Sequence, residues 1–98
     1  MKPTTTTNVK TTWEKTLNQA NLTDDEACFY YEFAPESGIY TNPTITMMEA
    51  DTVDEAIAES VKLSKNTNDY VMVKLWDIKK SKPTIFNLFN AHYGRVFD

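Results

Sequence analysis

Between residues 52 and 78 the hydrophobic period of the chain changes once, from helical to alternating, and this change restricts the chain to folds that pack a helix on a sheet. Thr52 stands where an N-cap belongs, with Glu55 three residues later as in a capping box. Val53, Ala56, Ile57 and Val61 then form one apolar stripe that stops near Asn66. The acids Asp54, Glu55 and Glu59 precede the bases Lys62 and Lys65, the order a helix dipole favours. After a polar loop, residues 70–78 alternate: Val71, Val73 and Leu75 define a core face, and Tyr70, Met72, Lys74 and Trp76 the other.

The flanking segments are read from this pair. Residues 27–33 are dense in aromatic side chains and close on Pro35 and Ser37-Gly38, which predicts a strand with Phe29, Tyr31 and Phe33 on one face. A second strand is expected over 44–50, and a short helix over 12–20 from Trp13, Leu17 and Ala20, entered through Thr11 and Glu14. Residues 1–11 read as a Thr-rich tail and 12–98 as a single domain. For the last element, Ile85, Phe86, Leu88, Phe89 and Tyr93 fit a helical stripe with Pro83 in its first turn and Gly94 at its C-cap, whereas a hairpin of 84–89 with 93–97 competes. The fold class is α+β, a small, mainly antiparallel sheet of about three strands packed with two or three helices.

The inventory for chemistry is thin. One Cys, one His and two Gly leave no dinucleotide or phosphate-cradling loop, no zinc ligand set and no calcium loop. Cys28 and His92 are the sole nucleophile and base pair of that kind, and Cys28 sits among aromatics as a buried thiol does. No catalytic residue, metal or cofactor is therefore expected. No run of eighteen apolar residues occurs, and residues 1–8 lack the apolar stretch of a secretory signal, so a cytoplasmic location and no membrane contact are expected. The Asn21-Leu22-Thr23 sequon is read as chance in that setting.

Charge is the informative feature. The chain carries −4 overall, yet Asp24, Asp25, Glu26, Glu32, Glu36, Glu49, Asp51, Asp54, Glu55 and Glu59 lie between Lys15 and Lys62 with no Lys or Arg among them. The first fifteen residues contribute +2, and residues 62–98 contribute +4. Carboxylates spread over a turn, strands and a helix can imitate phosphates and attract a basic groove, with Tyr30, Tyr31 and Tyr40 as aromatic anchors between them. The expected function is a non-enzymatic binding module, an acidic inhibitor or adaptor that masks the basic, nucleic-acid-binding surface of a partner protein. In size and charge layout, though in no motif, the chain looks like small phage and mobile-element proteins that neutralise host factors.

The alternative lies in the C-terminal third. Lys74, Trp76, Lys79, Lys80, Lys82, Tyr93 and Arg95 interleave basic and aromatic side chains as single-stranded nucleic-acid sites do. The sequence pI of about 4.9 weighs against it. An acidic middle with a basic end also admits a homodimer.

Overall fold

Helix α1 (Thr6–Ala20) opens the chain in the computed structural model, which describes residues 6–35 and 44–97, with side chains at all of these except 6–8, 85 and 86. A 3-10 turn (Asp24–Glu26) leads into β1 (Ala27–Ala34), followed by β2 (Thr46–Met47), α2 (Val53–Ser64), β3 (Tyr70–Asp77), β4 (Lys82–His92) and β5 (Arg95–Phe97). The strands form an antiparallel sheet in the order β2-β1-β3-β4-β5, so the α+β class holds but the sheet is wider than three strands.

The helix over 12–20 is longer than its periodicity suggests. It begins at Thr6, because Val9, 1% exposed, extends the Trp13–Leu17 stripe by one further turn into the core. Residues 6–11 are thus helical and not part of a tail. Thr16, buried in the same helix, satisfies its hydroxyl by donating to the Thr12 carbonyl at 2.8 Å. The helix ends in a Schellman motif: Asn21 adopts φ +57°, its N–H reaches Asn18 O at 3.2 Å, and Leu22 N–H reaches Leu17 O at 2.9 Å.

Helix α2 follows the sequence signals closely. Thr52 Oγ1 accepts from Glu55 N–H at 3.2 Å and donates to Glu55 Oε1 at 3.2 Å, while Val53, Ala56, Ser60 and Ser64 turn inward. Both helices lie on one face of the sheet, where Ala27, Phe29, Val71, Val73, Leu75, Phe89 and Ala91 meet Val9, Trp13, Leu17 and Ala56 in one core. Trp13 packs on Phe29 with ring centroids 4.2 Å apart.

The strand expected over 44–50 is shorter. Only Thr46 and Met47 form the strand; Met48 N–H still reaches Phe29 O of β1 at 3.0 Å, and the side chains of Met48 and Ala50 bury in the core. The helical reading of the C-terminal stripe is also overturned: 82–92 is a strand. Val73 pairs with Phe89 but Lys74 with Asn87, so Leu88 is an extra residue in a β-bulge, and Leu88 and Phe89 both reach the core. Gly94 is no C-cap. Tyr93 and Gly94, at φ +51° and +79°, form the two-residue turn joining β4 to β5, the left-handed pair that a tight hairpin requires.

Candidate functional site

The structure sorts the acids of the middle segment into engaged and unengaged groups. Glu26 accepts from Thr23 N–H at 3.1 Å and from the Thr23 hydroxyl at 3.0 Å, and those bonds hold its carboxyl below the usual carboxylate range. It also lies 3.5 Å from Lys79 Nζ. Glu55 is engaged at the α2 N-cap, where its N–H donates to Thr52 Oγ1 and its Oε1 accepts from the Thr52 hydroxyl. Glu32 is buried on the helix-free face of the sheet, 3.1 Å from Lys74 Nζ. Glu26 and Glu32 are each paired with a lysine, which offsets their charge, whereas Glu55 is hydrogen-bonded at the cap and keeps its negative charge.

Four other carboxylates gather around one cleft of about 320 Å³, between α1, the 3-10 turn and the start of α2. Glu14 comes from α1, Asp24 from the turn after the Schellman motif, and Asp51 and Asp54 flank the Thr52 cap. Lys10 and Trp13 complete the wall. Among the described residues, none of these four carboxylates has a cation within ion-pair distance or a hydrogen bond. Among the described residues no three of His, Cys, Asp and Glu converge closely enough to hold a metal ion.

Among the described residues, the acids of the middle segment therefore do not make one continuous face. Asp25 and Glu49 are exposed outside the cleft, and Glu59 is half-buried. Asp54 and Glu59 stand roughly 140° apart around α2 at about 100° per residue. Glu36 and Tyr40 lie outside the described residues. Tyr30 is no surface anchor: it is 2% exposed, edge-on to Trp76 at 6.1 Å, and burial followed by the Glu32 charge pushes its pKa up to about 12. Tyr31 is half-buried against Phe33. Sequence reasoning missed Glu14, Lys10 and Trp13 as wall residues, because they precede the acidic segment and join it only when α1 packs beside α2.

The basic and aromatic residues of the C-terminal third are dispersed. Lys79 and Lys80 occupy the β3–β4 turn, where Lys80 N–H is held by buried Asp77 at 3.0 Å, and Lys82 opens β4. Tyr93 and Arg95 sit at the opposite end of β4, roughly 30 Å along the strand. Lys74 is half-buried on Glu32, and Trp76 is half-buried on Tyr30.

Cys28 and His92 are likewise apart. Cys28 pairs with Trp76, and His92 lies beyond the Ala91–Val71 pair, so roughly 17 Å of strand separates them. Burial pushes the Cys28 thiol up, away from thiolate chemistry. His92 is enclosed between Tyr70 and Tyr93, each with its ring centroid at 4.0 Å, and its Nε2 lies 3.0 Å from Asn68 O. Among the described residues no helix is long and apolar enough to cross a membrane. Compared with known protein families, curated proteins and solved structures, the chain matches none.

Proposed function

We propose that this chain is a protein-binding module without chemistry of its own, an acidic inhibitor or adaptor that occupies a basic, nucleic-acid-binding surface of a partner. The observation that carries the reading is the cleft where Glu14, Asp24, Asp51 and Asp54 meet beside one cation, Lys10, that lies within ion-pair distance of none of them, while Glu26 and Glu32 are paired with lysines of the fold. Leaving like charges together and unpaired is unfavourable for folding, and it becomes favourable when a cationic surface closes over them. Such a surface is found by electrostatic steering, so association is fast at low salt and weakens as salt screens it.

Capture from a cell lysate at low and high salt, with the wild type beside Asp24→Asn/Asp51→Asn/Asp54→Asn, tests this reading. Proteins retained at low salt by the wild type, released by added DNA and lost from the variant are the expected outcome. An identical set of proteins on both baits removes the cleft as the contact. Retention of nucleic acid itself, abolished by Lys79→Ala/Lys80→Ala/Lys82→Ala, would replace the reading with direct nucleic-acid binding.

A further inference from the structure

The acidic cleft makes two demands of opposite kind on whatever fills it. Its four carboxylates and the Lys10 ammonium leave a formal excess of three negative charges, which asks for a cation. Trp13 lines the same cleft at 8% exposure, and its indole N–H has no hydrogen-bond acceptor among the described residues. A buried indole N–H ordinarily has one, so this group asks for an oxygen.

A metal ion or a polyamine answers the first demand alone. A phosphate answers the second and is repelled by the first. A peptide with a Lys or Arg side chain answers both, because its cation and its main-chain carbonyl lie a few ångströms apart on one residue. A volume of about 320 Å³ accommodates one such side chain with its flanking backbone, at the small end of binding clefts.

We propose that the cleft receives an extended Lys- or Arg-bearing segment of the partner protein, whose cation sits among Glu14, Asp24, Asp51 and Asp54 and whose carbonyl accepts from the Trp13 indole N–H. This deepens the binding-module reading and rests on it.

The two tryptophans, Trp13 and Trp76, give two indole N–H signals in a ¹⁵N NMR spectrum, and Trp13→Phe identifies the first by its loss. The probes are the acetylated, amidated peptide Gly-Arg-Gly-Arg-Gly and, as a cation without a carbonyl, spermine, both at low salt. The peptide is expected to shift the Trp13 indole signal and leave that of Trp76 in place, and spermine to move neither. Peptide affinity falls at least tenfold in Asp51→Asn/Asp54→Asn and several-fold in Trp13→Phe. A still Trp13 signal under saturating peptide overturns the proposal, even where Trp13→Phe is too unstable to study. Equal shifts from peptide and spermine also overturn it.

The two readings fail separately. Lysate capture lost in the triple Asp→Asn variant with an unmoved indole removes the peptide but leaves the module. Peptide entry with lysate capture unchanged removes the module and leaves the peptide-binding cleft.

Discussion

Ser64 Oγ accepts the backbone N–H of Gly94 at 2.9 Å, fastening the last turn of α2 to the β4–β5 turn. The same hydroxyl donates to Val61 O at 2.9 Å, so a fully buried serine is satisfied twice. Lys65 lies over the turn, where its Cε is 3.0 Å from the position a Cβ on Gly94 would take. Ser64→Ala leaves a half-buried N–H without its acceptor, and the expected cost is about 1–3 kcal/mol in urea denaturation. Amide exchange at Gly94 should quicken more than exchange at mid-strand Val73, and equal protection in variant and wild type would contradict the tether.

Thr52→Ala removes the acceptor of the Glu55 N–H and the hydroxyl that donates to Glu55 Oε1. The expected loss is about 1 kcal/mol, with a fall in Tm and no change in the sheet. Thr52→Ser restores most of it, because the hydroxyl rather than the methyl carries the effect.

The Glu32–Lys74 pair lies on the helix-free face, with Glu32 the more deeply buried partner. Lys74→Met removes the ammonium from a buried carboxylate and is expected to destabilise by about 1–3 kcal/mol, since Lys74 itself is partly exposed. Glu32→Gln combined with Lys74→Met should be less damaging than the sum of the single changes. Strict additivity in that double-mutant cycle would show that the pair contributes no coupling.

Burial of Tyr30 predicts a contribution to stability that alkaline pH removes. The folded pKa of Tyr30, about 12, stands above the ordinary value of 10, so this contribution is fully present below pH 10 and is lost as pH rises through 12. In that window the unfolded chain has released the phenolic proton and the folded chain still holds it, so stability falls with pH at up to roughly 1.4 kcal/mol per pH unit. Denaturation midpoints measured from pH 9 to 12 should drop in the wild type and drop less in Tyr30→Phe. Matching slopes would place the alkaline sensitivity elsewhere.

The sequence by itself determined the elements whose signals are local. The N-cap at Thr52 and the alternation of Val71, Val73 and Leu75 yield α2 and β3 as expected, because caps and periodicity act within a few residues of the chain. The aromatic run at Phe29–Phe33 is a strand for the same reason. Tertiary structure decided the rest. Leu88-Phe89 reads as a helical stripe, and a bulge turns both side chains into the core of a strand, because burial against α1 and α2 outweighs strict alternation. Val9 alone carries no legible period among threonines, and it orders the first turns of α1 by burying against the sheet. The acidic segment is plain in sequence, but which carboxylates stay unpaired is not. Glu32 meets Lys74 across a strand pair 42 residues apart, and Glu14 joins Asp24, Asp51 and Asp54 through helix packing. Electrostatic partners are chosen by distance in space, and local sequence does not encode that distance.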